Sequence, residues 1–266
     1  MSRCARSDCR RTSSWFHRRA GLSVNGKWYC SAACVASLAR RQLLGARRAS
    51  GGLPPAVHLR LGVWLRRFGV SQDQLTAGLA GQQVTRLRLG AQLVALGHAT
   101  KDMVLQALAR QASTDFIADL DPAVVRLAPA GLSAHAVRAL SLVPFTPPER
   151  GHVRVACAGP LPRVGLAAFS RLTGLVPEPY LVTDETFEAL AANYGRDAEC
   201  RETAEFVEAS SLGDAVDQIT QAPALDGIAR LVEIHIAPLR WVRVQSEAGT
   251  RDVVLHESQH EIRKEA

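Results

Sequence analysis

The sequence predicts an α+β fold: a small four-cysteine module, a tandem helix-pair repeat running into a small α/β subdomain, and a short C-terminal, mainly β segment. Three observations predict it. Four of the six cysteines form two knuckles near the N-terminus. Arg60-Leu61-Gly62-x-x-Leu65-x-x-x-Gly69 recurs 28 residues later as Arg88-Leu89-Gly90-x-x-Leu93-x-x-x-Gly97. Towards the C-terminus, apolar residues alternate with period two in stretches separated by turn residues. The boundaries read from these patterns are 1–45 for the cysteine module, 46–57 for a linker, 58–111 for the repeats, 112–196 for the α/β subdomain and 197–266 for the C-terminal segment.

With 266 residues, 47% hydrophobic and 21% charged, the chain has the composition of one or two globular domains. It has no apolar run approaching the roughly 18 residues that span a bilayer, and its start lacks the apolar core of a signal peptide. The expectation is a cytoplasmic protein without membrane insertion, its cysteines kept as thiols or metal ligands. The net charge of +7 is uneven: residues 1–50 hold eleven Lys/Arg against the single acid Asp8, so the remainder is slightly acidic. That balance suits an acidic partner for the first module, or simply a solvated basic surface.

Cys4-x4-Cys9 and Cys30-x3-Cys34 are separated by twenty residues, a spacing suited to one tetrahedral zinc. A segment this short buries too little apolar surface to fold alone, so a structural metal would supply its stability. Four unliganded cysteines are the alternative, and His17 is an alternative fourth ligand. The second knuckle, Trp28-Tyr29-Cys30-Ser31-Ala32-Ala33-Cys34, reads as a hairpin followed by a helix carrying the last ligand, and resembles treble-clef zinc fingers. Cys157 and Cys200 stand apart and read as small buried apolar side chains.

Each repeat predicts two short helices. In the second copy Leu89, Leu93, Val94 and Leu96 form an apolar face, Gly97 ends the helix, and Thr100 caps the next with Met103, Val104 and Leu108 inside. The first copy does the same with Leu61, Leu65, Phe68, Gly69, the cap Ser71, and Leu75 and Leu79. Two copies of Arg-Leu-Gly suggest a two-fold or two-part ligand.

At these residues the chain resembles the N-terminal domain of type II secretion and type IV pilus assembly ATPases, the GspE/MshE N-terminal family. Its hallmark is a tandem 24-residue motif with a five-residue spacer; here Arg88 to Gln111 spans 24 residues and Gln83 to Leu87 forms the spacer. The resemblance implies a receptor for cyclic di-GMP, each copy gripping half of the dinucleotide. Carried onto this chain, the binding set is Arg60, Leu61, Gly62, Leu65, Gly69 and Gln82, then Arg88, Leu89, Gly90, Leu93, Gly97 and Gln111. The chain departs from the motif at Arg66, His98-Ala99 and Val104, and its first copy is one residue short.

The likeness extends through Leu142-Val143-Pro144-Phe145, the strand-like Val153 to Cys157, Gly159-Pro160, a helix over Val164 to Leu172, an extended Val176 to Val182, and a last helix capped by Asp184 that ends at Tyr194-Gly195. Residues 196–207 read as linker or exposed helix, 212–219 as helix, and Val232 to Pro238, Trp241 to Val244 and Asp252 to Leu255 as strands. No Gly-x-x-x-x-Gly-Lys-Ser/Thr occurs, so the sequence offers no P-loop. His256-Glu257-Ser258-Gln259-His260 matches a zinc-protease pattern without room for a third ligand, and reads as a solvated tail. The leading expectation is a non-catalytic regulator with structural zinc and cyclic di-GMP as ligand. The alternatives are an adaptor docking on secretion or pilus assembly proteins without nucleotide, and nucleic-acid binding through the basic zinc module.

Overall fold

The computed structural model of the protein describes residues 2–13, 21–45, 60–125, 131–196, 204–222 and 228–257. His17, Cys200, the linker and Ser258-Gln259-His260 lie outside these ranges.

The first module is set by a two-residue turn. Asn25 and Gly26 both take positive φ (50° and 70°), the conformation that matches the twist of a tight hairpin, so Leu22–Val24 (β1) folds back on Lys27–Tyr29 (β2). Ala32–Gly45 follows as α1, with Val35, Ala39 and Leu43 buried at four-residue spacing along one face.

Four helices carry the repeats: Leu61–Arg67 (α2), Gln72–Thr85 (α3), Leu89–Ala95 (α4) and Lys101–Ala112 (α5). Ser71 and Gln74 form a capping box at the start of α3, and Thr100 accepts from the Met103 N–H at the start of α5. The ends of α2 and α4 match as well. Val70 N–H bonds Leu65 C=O and His98 N–H bonds Leu93 C=O across Gly69 and Gly97, both at positive φ. Leu65, Leu75 and Leu93 are buried in a core of the repeat's own. Leu79 and Leu96, expected inside, are instead 51% and 42% exposed. The helical period identifies the apolar stripe but not whether another element covers it.

The α/β subdomain comprises the short strand Asp115–Phe116 (β3), a 3₁₀ turn at Pro122–Val125, Ala134–Leu140 (α6), Val143–Pro144 (β4), His152–Ala158 (β5), Arg163–Thr173 (α7), Val176–Val182 (β6) and Asp184–Asn193 (α8). Strand order is β3-β6-β5-β4, with β5 and β6 parallel and linked by α7. The cap of α8 is Thr183, whose hydroxyl accepts from Thr186 N–H; Asp184, expected as the cap, is the first helical residue. Cys157 is fully buried on β5, and burial pushes its thiol up to about 12.

Glu205–Ala209 (β7), Leu212–Thr220 (α9), Ile228–Ile236 (β8), Leu239–Ser246 (β9) and Gly249–His256 (β10) complete the chain. β7 corrects the reading of 196–207 as linker or exposed helix at its last three residues, 205–207: the strand gains its ladder from β10, to which it pairs in parallel. The second sheet runs β2-β1-β8-β9-β10-β7, so the N-terminal hairpin adds to the C-terminal strands through the parallel pairing of β1 with β8. Asn25 prolongs that ladder, its side chain both accepting from and donating to the Leu231 backbone. One face of this sheet packs against the cysteine module and α9, with Leu231, Val242, Val244, Val253 and Leu255 inward. The other face joins the α/β subdomain core through Val232, Ile234, Trp241 and Val254. The Arg243–Asp252 pair lies on that second face at 2.7 Å, with Trp241 Nε1 donating to the same carboxylate. No helix among the described residues is long and apolar enough to cross a membrane.

Candidate functional site

Two constellations stand out. In the first, the hairpin delivers Cys30 at the end of β2 and the first turn of α1 delivers Cys34. Backbone bonds from Cys4 N–H to Arg11 C=O and from Ala5 N–H to Trp28 C=O fold the first knuckle over them. The four sulfurs lie within 4.8 Å of one another, with Cys9–Cys30 and Cys30–Cys34 each at 3.6 Å. A tetrahedron with metal–sulfur bonds of about 2.3 Å has sulfurs about 3.8 Å apart, whereas a disulfide needs about 2.05 Å. All four are free cysteines. Burial opposes ionisation of Cys4, yet hydrogen bonds from the Cys30 and Arg6 backbone and from neighbouring thiols lower it to about 7. Burial pushes Cys30 up to about 12, reinforced by the sulfurs of Cys34 and Cys9. Four soft donors converging on one point could hold zinc.

The second constellation is a cleft of about 510 Å³. Arg60 and Arg88 precede α2 and α4 in the same extended conformation (φ −60°, ψ 145° and φ −65°, ψ 148°), neither making a side-chain cap bond. Around Arg88 the cleft gathers Leu61 from the first motif, Leu89, Gly90 and Gln111 from the second, and an apolar wall of Val94, Val104, Leu105 and Leu108. The lining also takes in Gly159-Pro160 after β5, Val182 at the end of β6, and Thr183, Asp184 and Glu185 after it. The cleft therefore opens at the carboxyl ends of two parallel strands, where α/β sheets bind ligands.

Two glycines make room within it. A Cβ on Gly90 would lie 2.5 Å from Val104 Cγ1, so this glycine lets α4 close on α5. A Cβ on Gly159, which holds φ +63°, would meet the Arg88 guanidinium at 3.0 Å. At the mouth Lys101 pairs with Glu185 at 2.5 Å. Lys101 holds the Glu185 carboxyl below its ordinary range, and Glu185 raises the ammonium in turn.

Of the twelve motif residues read from sequence, Leu61, Arg88, Leu89, Gly90 and Gln111 meet in the cleft. Leu65 and Leu93 are core, Gly69 and Gly97 close helices, Gly62 sits in α2, Gln82 donates to the Leu87 carbonyl at 2.7 Å, and Arg60 is exposed outside the cleft. Leu79 is the first-copy counterpart of cleft-lining Leu108, but lies outside the cleft and is 51% exposed. Sequence reasoning missed Lys101, Gly159, Asp184 and Glu185; the available signal was their position at helix starts and strand ends. The zinc-protease pattern is corrected at Glu257. It is not a solvated tail residue but pairs with His235 at 3.0 Å and Arg240 at 2.8 Å.

No family model matches the chain, and no curated protein matches it significantly. Among solved structures it is similar to that of MshE with cdg, at 25% identity over 52% of this chain and 99% of that chain, with a TM-score of 0.44. It is also similar to the N-terminal domain of XpsE in two crystal forms. One matches at 17% identity over 50% of this chain and 92% of that chain, with a TM-score of 0.37. The other matches at 18% identity over 50% and 93%, with a TM-score of 0.29.

Proposed function

We propose that the protein is a non-catalytic cytoplasmic regulator that binds cyclic di-GMP in the Arg88 cleft, with zinc held by Cys4, Cys9, Cys30 and Cys34 as a structural ion. The observation that carries the reading is that residues of both Arg-Leu-Gly motifs line one cleft. Its leucine and valine wall suits purine faces, Arg88 suits a guanine edge, and Lys101 at the mouth suits the phosphodiester. The bound nucleotide would bias how the repeats present themselves to a secretion or pilus assembly partner.

Isothermal titration calorimetry of cyclic di-GMP into the wild type and an Arg88→Ala variant tests this. Saturable binding at micromolar affinity or better, lost in the variant, supports the receptor. Absence of heat from the folded wild type, together with an unmoved thermal transition at high nucleotide, would leave the adaptor without nucleotide as the reading.

A further inference from the structure

We propose that Asp184 selects guanine over adenine in this cleft, gripping one edge of a base whose other edge is held by Arg88. The inference rests on the cyclic di-GMP reading and names the residue that makes the site specific.

Asp184 and Arg88 both line the cleft, one at the start of α8 and the other just before α4, with Val104 and Leu108 on its apolar side. Their chemistries are opposite. A guanidinium only donates and an ionised carboxylate only accepts. Guanine is the base with matching edges: O6 and N7 accept on one side, and N1–H and N2–H₂ donate on the other. Adenine fails on both, because N6–H₂ meets the arginine and the bare N1 lone pair meets the carboxylate.

A carboxylate inside a site for a dianion also needs a reason. Facing a phosphodiester it would repel the ligand; facing a guanine edge it accepts two bonds. Glu185 is already engaged by Lys101 at 2.5 Å, while the Asp184 carboxylate makes no ion pair within 4.0 Å among the described residues and only helps raise the Lys101 ammonium from further off. Asp184 is also held in place. Thr183 caps the helix beneath it, and β6, paired with β5 up to Val182, fixes the point at which α8 begins.

The test is calorimetry with cyclic di-GMP and cyclic di-AMP on the wild type, Asp184→Asn and Asp184→Ala, each checked for a wild-type-like circular dichroism spectrum. The wild type should prefer cyclic di-GMP. Asp184→Asn, offering one donor and one acceptor, should lose roughly 10- to 100-fold in cyclic di-GMP affinity, the discrimination one bidentate base contact gives, while cyclic di-AMP binds as well or better. Asp184→Ala should weaken cyclic di-GMP alone. Variants that keep the wild-type ratio of the two affinities would overturn the selector and leave the receptor reading standing. A wild type that binds neither nucleotide would overturn the receptor reading, and the selector with it.

Discussion

Gly62 and Gly90 hold the same place in the two motifs, yet the fold needs them differently. A Cβ on Gly90 would drive into Val104 at 2.5 Å, whereas one on Gly62 would meet the Leu75 methyls at an ordinary 3.8 Å. Neither has the positive φ that would itself require glycine. Gly90→Ala should therefore cost about 1–3 kcal/mol through forced repacking of α4 against α5. Gly62→Ala should be neutral or stabilise by about 0.5–1 kcal/mol, since alanine loses less backbone entropy in a helix. Urea denaturation of the two variants checks this; equal midpoints would show that α4 and α5 adjust at no cost. The repeat is thus symmetric in backbone and asymmetric in packing, in line with a cleft that forms around Arg88 while Arg60 lies outside it.

At the scale of elements, the seam between α1 and the C-terminal strands shows what a local pattern conceals. The last carbonyls of α1, on Leu43 and Leu44, accept from Arg240 at the start of β9; Arg240 is fixed by Glu257, which also meets His235 on β8. Burial works against the Glu257 charge, but the bonds to His235 and Arg240 prevail and hold its carboxyl below the ordinary 4.5. A depressed acid contributes stability that is present above its ordinary pKa and lost as pH falls through the folded one. Glu257→Gln should thus be less stable at neutral pH by roughly 1–3 kcal/mol. Its deficit should shrink as pH falls below 4.5. Thermal melts of both proteins between neutral and acid pH measure it; a deficit independent of pH would assign Glu257 a packing role alone. None of this was legible in His256-Glu257-Ser258-Gln259-His260, because its partners are set by a fold that brings distant segments together. The same reason separates the other hits from the misses. The caps Ser71 and Thr100, the Gly69 and Gly97 ends and the Val176–Val182 strand are encoded within a few residues and were readable. β7 is a strand because β10 lies beside it, and Gly159 meets Arg88, and Asp184 joins the cleft it lines, only after the sheet is built.

At the scale of the molecule, the two ends of the chain make one structure. The six-stranded sheet is a wall buried on both faces, with the cysteine module and α9 on one side and the α/β subdomain on the other. The cysteine cluster anchors the β1–β2 hairpin, which extends the sheet, and α1, which with α9 covers Val242, Val244 and Val253. Structural zinc in isolated fingers is worth roughly 10–16 kcal/mol of folding free energy at neutral pH. Loss of the zinc proposed for the four cysteines should therefore uncover one face of the wall and not merely unravel a tag. The Arg88 cleft lies elsewhere, built from the repeat core and the ends of β5 and β6. Stripping the metal with a chelator should lower the thermal transition and speed amide exchange in α1, β1 and β8 first. Exchange in α4 and α5 should stay slow, because their packing does not pass through the cysteine module. Hydrogen exchange read by mass spectrometry on loaded and stripped protein separates the outcomes. Unchanged exchange throughout would mean that the four thiols hold their geometry without metal. Equal loss across all elements would mean that the wall transmits the metal's contribution to the cleft itself, making nucleotide affinity dependent on zinc.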